Sequence, residues 1–134
     1  MDIVRSAITS NVGASMAGGE SFFRIRSKIW VEDADGLVVF GLGRYRILEA
    51  VQRLGSLQAA AQELKMSYRA IWARMSATEK RIGKPLLIRN PQGSTLTPLG
   101  ERLLKQFQRL LKIVETESDA VYNDLMAVYL DSST

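Results

Sequence analysis

The sequence predicts a mainly α domain in which three short helices sit between two β-hairpins and lead into one long helix. Three observations predict it. Residues 44–82 keep a three-and-four apolar spacing interrupted only by capping residues, the stretches 23–40 and 86–96 turn to β-prone runs around turn residues, and from Pro98 only Gly100 interrupts a helical run to about Leu130.

Residues 1–21 are rich in Ser, Ala and Gly and lack periodicity, so a flexible N-terminal arm is expected there. From Phe22 the pattern changes. Phe23, Ile25, Ile29 and Val31 alternate with Arg24, Arg26, Lys28, Trp30 and Glu32, Asp33-Ala34-Asp35-Gly36 supply a turn, and Leu37-Val38-Val39-Phe40 form a second run, so residues 23–40 read as a hairpin that Gly41 and Gly43 end. A first helix begins at Arg44 with Ile47, Leu48, Val51 and Leu54 inward and stops at Gly55. Ser56 caps a second, Ala-rich helix through Leu57, Ala60, Ala61 and Leu64, and Lys65-Met66 make a tight connection. Ser67 caps a third, Tyr68–Ile82, with Ile71, Met75, Thr78 and Ile82 inward and Gly83 closing it. Leu86-Leu87-Ile88, a turn over Asn90-Pro91-Gln92-Gly93-Ser94, and Thr95-Leu96 give a second hairpin. Thr97-Pro98 then open the last helix, whose apolar residues Leu103, Phe107, Leu110, Val114, Val121, Leu125 and Val128 form a coiled-coil-like seam.

At 134 residues, 46% hydrophobic and 24% charged, the chain is one ordinary domain with apolar mass enough for a core. It contains neither His nor Cys, which removes thiol chemistry, the usual zinc sites and imidazole proton transfer. No metal and no cofactor is expected. Glu63, Glu79 and Glu101 fall on separate elements and form no catalytic carboxylate pair, so an enzyme ranks third among the readings. No uncharged apolar stretch is long enough for a membrane span and the first twenty residues lack a compact apolar run, from which cytoplasmic residence is expected.

The charges are sorted along the chain. Residues 40–112 carry fourteen basic against four acidic groups, a net of +10, while residues 1–39 balance at −1 and residues 113–134 carry five acidic groups and no basic one. A basic middle of this kind suits a polyanion, since each phosphate contact uses one cation. Helix, turn, helix, then β-hairpin is the order of a winged helix-turn-helix, and it lies wholly inside the basic segment. Projected at 100° per residue, the third helix turns Arg69, Ala73, Ser76 and Lys80 outward with Trp72 on the flank, a small basic face that fits a major groove.

The full expectation is therefore a winged helix-turn-helix with an N-terminal β-hairpin, a β wing and a long C-terminal dimerisation helix, divided as residues 1–21, 22–97 and 98–134. Double-stranded DNA and a second copy of the chain are the expected partners, and the residues specify no small-molecule effector. Arg69 is the candidate base reader, since a guanidinium early in this helix can grip guanine O6 and N7, with a phosphate contact as its alternative. Tyr68 would use its hydroxyl, Trp72 is open between packing and contact, and Ser67, Ser76 and Lys80 complete the helix. Ser56, Gln58 and Lys65 suit phosphates, and Arg89 and Gln92 on the wing reach the backbone or minor groove. The seam from Leu103 to Val128 is the candidate dimer interface. The runner-up is a winged-helix protein-interaction module without DNA binding.

Residues 55–103, from Gly55-Ser56-Leu57-Gln58-Ala59-Ala60-Ala61 through Gly83-Lys84-Pro85-Leu86-Leu87-Ile88-Arg89 to Leu96-Thr97-Pro98-Leu99-Gly100, resemble the DNA-binding domain of LysR-type regulators. The leading hairpin Lys28-Ile29-Trp30-Val31-Glu32-Asp33 to Phe40-Gly41-Leu42-Gly43-Arg44 and the helix start Met66-Ser67-Tyr68-Arg69-Ala70-Ile71-Trp72 are similar to the molybdate-responsive ModE family, and LysR proteins lack that hairpin. The resemblance implies a transcriptional regulator of bacteria or archaea. ModE-type regulators carry molybdate-binding domains after the DNA-binding part, and a chain of 134 residues is expected to lack one. The wing turn is shorter and less Gly-rich than that family implies.

Overall fold

The computed structural model describes Ile8–Thr9 and residues 24–132. Its elements run β1 (Ile8–Thr9), β2 (Arg26–Ser27), β3 (Trp30–Glu32), β4 (Val38–Gly41), α1 (Leu42–Leu54), α2 (Leu57–Glu63), α3 (Tyr68–Ile82), β5 (Leu87–Asn90), β6 (Gly93–Leu96) and α4 (Pro98–Ser132). Three two-stranded antiparallel sheets pair β1 with β2, β3 with β4 and β5 with β6. This is the mainly α winged helix-turn-helix that the sequence predicts.

Two units divide the chain: Met1–Ile29 with Gln108–Thr134, and Trp30–Phe107. This division differs from the expected one, because the first ten residues of α4 belong with the helix-turn-helix and not with the rest of their own helix. The strand expected to start at Phe23 is also split. Arg26–Ser27 pair with Ile8–Thr9, inside the arm expected to be flexible, and the leading hairpin proper is Trp30–Gly41, with a bulge between Val31 and Glu32. The rest of the arm, with Phe22 and Phe23, lies outside the described residues.

In the Trp30–Phe107 unit, local chemistry sets each boundary. Asp33 Oδ1 accepts from the backbone of Asp35 and Leu37 and folds the β3–β4 turn, with Gly36 at φ 82°. The expected break at Gly41 and Gly43 is instead the helix start, since Gly41 is both the end of β4 and the cap of α1, and Gly43 lies within the helix. Ser56 and Ser67 cap α2 and α3 by accepting from the N–H of Ala59 (2.9 Å) and Ala70 (3.0 Å). Gly55 and Gly83, at φ 80° and 83°, end α1 and α3 in the left-handed conformation that glycine adopts without a Cβ clash.

The connection between α2 and α3 makes the same turn without glycine. Lys65 takes φ 57°, its N–H donates to Gln62 O and that of Met66 to Ala61 O, which is the Schellman arrangement.

The core of this unit is Phe40, Ile47, Leu48, Val51, Leu57, Ile71, Met75 and Leu86, all within 2% of full burial. Leu54, expected inward, is exposed, and Ile82 is half-buried, because each stands on the last turn before a glycine cap, where the chain turns away from the core. Leu104 and Phe107 of α4 complete the core, Phe107 meeting Phe40 edge-on at 5.1 Å and Tyr45 at 5.8 Å. Phe107 is therefore a residue of its own domain's core and not of a dimer seam. Leu103 is half-buried, and the buried line passes through its neighbour Leu104.

Two glycines let backbone approach backbone. A Cβ on Gly93 would collide with the carbonyl oxygen of Gly55, and one on Gly100 with that of Leu86. Ser94 N–H donates to Gly55 O at 2.9 Å, so the wing is seated on the turn between α1 and α2. Glu79 holds the other side: its Oε2 accepts from the N–H of Leu86 (2.7 Å) and Leu87 (3.0 Å) at the entry to β5.

Candidate nucleic-acid interface

The wing and the helix-turn-helix enclose a cleft of about 540 Å³ lined by Ser56, Leu57, Gln58, Tyr68 and the wing from Arg89 to Ser94. Five expected contact residues, Ser56, Gln58, Tyr68, Arg89 and Gln92, thus line one hollow although they come from three elements. The hollow exists because Gly93 brings the wing onto Gly55. Ser56 and Ser67 use their hydroxyl oxygens as acceptors for the caps and keep their O–H groups as donors.

Along α3, Arg69, Ala73 and Lys80 are exposed and Ser76 is half-buried, which is the outward face read from the helical projection. Tyr68 is 50% and Trp72 45% exposed. The tyrosine ring is therefore at the surface. The Arg89 guanidinium lies 5.6 Å from the centroid of the Trp72 ring. This contact ties wing to recognition helix, holds Arg89 over an exposed aromatic face and gives Trp72 a packing partner without burying it. Lys65 stands exposed at the left-handed turn before α3.

Arg53 forms ion pairs with Glu49, at 2.9 Å, and with Glu63. Both carboxylates raise the Arg53 guanidinium above its ordinary pKa, and Arg53 holds the Glu63 carboxyl below its own. Two of the four acidic groups of residues 40–112 are thereby neutralised away from α3, and a third, Glu79, accepts from the wing backbone. Glu63 and Glu79 have structural work, the first in an ion pair and the second as a buttress. Among the described residues no group of three potential metal ligands occurs, and no helix is long and apolar enough to cross a membrane.

Sequence reasoning missed Arg44, Arg74 and Arg81. Arg44 Nε donates to Thr78 Oγ1 at 2.6 Å, Thr78 Oγ1 donates to Val39 O at 3.0 Å, and Arg81 Nη1 donates to Val38 O at 2.6 Å. Burial, then the positive charges of Arg74 and Arg81, push the Arg44 guanidinium below its ordinary pKa. The buried threonine at position 78 was the available signal, since a hydroxyl on an apolar stripe requires a polar partner.

In the unit holding the distal helix, Leu110, Ile113, Val121, Leu125, Val128 and Tyr129 are exposed and Val114 is half-buried. Tyr122 is the buried exception.

Three recognisable helices, a wing seated on their turn and a cation-lined face define a winged helix-turn-helix. Residues 42–101 match the bacterial regulatory helix-turn-helix proteins of the lysR family. An uncharacterized HTH-type transcriptional regulator of Mycobacterium bovis is 39% identical over 80 residues, which is 60% of this chain and 25% of that protein. Transcriptional regulator ModE of Haemophilus influenzae is 36% identical over 77 residues, 54% of this chain and 30% of that one. The crystal structure of the CbnR DNA-binding domain in complex with DNA superimposes with a TM-score of 0.54 at 29% identity, covering 62% of this chain and 95% of that domain. These relatives are regulators and not enzymes. The chain spans about a quarter of the length of the first curated relatives it matches.

Proposed function

We propose that the protein is a sequence-specific transcriptional regulator that binds double-stranded DNA as a homodimer, with α3 in the major groove and the wing along the adjacent backbone. The observation that carries this is the exposed face of Arg69, Ala73, Lys80 and Trp72, joined to the wing through Arg89 and free of acidic side chains. A groove about 12 Å wide admits one helix, and small residues behind a long cation let that helix approach. Arg69 reads a base, while Lys65, Gln58 and the caps hold phosphates.

The distal half of α4 supplies the second copy's contact. Its exposed apolar side chains, Leu110, Val121, Leu125 and Val128, with half-buried Val114, have the spacing of a helix seam, and two-fold pairing doubles the DNA site. Titrating duplex DNA across a range of salt concentrations tests the reading: affinity is expected to fall steeply as salt rises, because phosphate contacts release counterions. A flat dependence would return the chain to the protein-interaction alternative. Arg69→Ala is expected to cost about 1–3 kcal/mol on the preferred sequence and to relax selectivity at one base position. Equal losses on preferred and random duplexes would make Arg69 a phosphate contact.

A further inference from the structure

We propose that Arg44, Arg74 and Arg81 form a phosphate-binding corner for the DNA backbone on the side of α3 away from the wing, extending the footprint onto the β3–β4 hairpin and the start of α1. The inference rests on the regulator reading above and adds a site to it. Three guanidiniums meet in this corner from two elements. Arg44 is fixed through Thr78 and Arg81 through Val38 O, so two of the three are held by the fold. Arg74 is the free arm. It is exposed, has no hydrogen bond or ion pair among the described residues, and its Nη1 would lie 3.8 Å from a Cβ at Gly43, over the first turn of α1.

The corner is unfavourable for the isolated protein. Arg44 stands in the first turn of α1, at the positive end of the helix dipole, where no acidic residue and no side-chain cap offsets it. Like charges around it add repulsion, and an anion would remove both penalties at once.

Geometry favours a backbone phosphate as that anion. At about 100° per residue, Trp72 lies about 60° to one side of Arg69, and Arg74 and Arg81 lie about 140° and 120° to the other. A helix in a major groove runs between two phosphate ridges. Arg89 above Trp72 faces one ridge, and the three-arginine corner faces the other.

The test uses the full chain and the variants Arg74→Gln and Arg74→Lys, since Arg74 makes no hydrogen bond or ion pair among the described residues that the change would break. Arg74→Gln is expected to bind preferred and random duplexes roughly tenfold more weakly, with a salt dependence shallower by about one counterion, while Arg74→Lys keeps the parent's slope. A parent that binds DNA with a steep slope that Arg74→Gln leaves unchanged overturns the corner and leaves the regulator reading standing. A parent that binds no duplex overturns both. If Arg74→Gln changes base preference, Arg74 is a reader and the proposal is wrong. Calorimetric titration with inorganic phosphate separates the other source: micromolar binding that Arg74→Gln abolishes, with DNA affinity unaffected, would assign the corner to a free anion and overturn it.

Discussion

The Trp30–Phe107 unit and the distal half of α4 have similar apolar material and opposite fates. In the first, Ile47, Leu48, Val51, Ile71 and Met75 are fully buried; in the second, Val121, Leu125 and Val128 are 62%, 59% and 65% exposed. The difference is one of geometry. Three short helices crossing under a hairpin can close round a core, whereas one long helix presents a stripe that its own chain covers only where other elements lie beside it. One helix serves both regions: Leu104 and Phe107 finish a core, and about four turns further on Val121 and Leu125 are exposed. An apolar stripe of this kind is a partner surface in waiting or an aggregation hazard.

That contrast predicts large folding effects in the closed unit and almost none in the open one. Gly93→Ala is expected to be the most damaging, because it meets two separate obstacles: a φ of 146° and the Gly55 carbonyl. Strain and overpacking together should cost about 3 kcal/mol or more in urea unfolding. A loss below about 1 kcal/mol would mean that the wing is not seated on Gly55. Thr78→Val removes a fully buried hydroxyl that joins Arg44 to Val39, leaving a carbonyl and a guanidinium without their partner, and about 1–3 kcal/mol should be lost. If stability is unchanged, the bridge contributes nothing net.

Lys65→Gly runs the other way. Relief of the left-handed backbone at φ 57° should stabilise the unit by about 1 kcal/mol while every duplex binds more weakly, which separates the residue's backbone role from its charge. Undiminished DNA affinity would remove Lys65 from the interface. The smallest effect on folding is expected at the open stripe: Val121→Glu with Leu125→Glu should change the unfolding free energy of the Trp30–Phe107 unit by no more than about 0.5 kcal/mol. The same double variant should sediment as a monomer and bind DNA weakly. A parent that is already monomeric at micromolar concentration, or a double variant that stays dimeric, would show that the stripe serves something other than pairing.

Sequence alone determined the helices and most of their ends, the start of α1 excepted. Ser56, Ser67 and Thr97 caps and the Gly55 and Gly83 stops act over three or four residues, so α2 begins at Leu57 and α3 spans Tyr68–Ile82 as their spacing predicts. The basic segment, the outward face of α3 and the wing were legible for the same reason, since charge and periodicity are local properties of the chain. Tertiary structure decided what depends on distant partners. It split the leading strand, because Arg26–Ser27 pair with Ile8–Thr9 rather than with the hairpin, and it drew Phe107 into a core that Phe40 and Tyr45 had prepared. It also gathered Arg44, Arg74 and Arg81 from two helices into one corner, and set Arg89 over Trp72 across seventeen residues of chain. Spacing along one helix cannot reveal such meetings, because they are fixed by how elements cross, and the crossings here rest on two glycines whose missing side chains allow Gly93 and Gly100 to touch backbone.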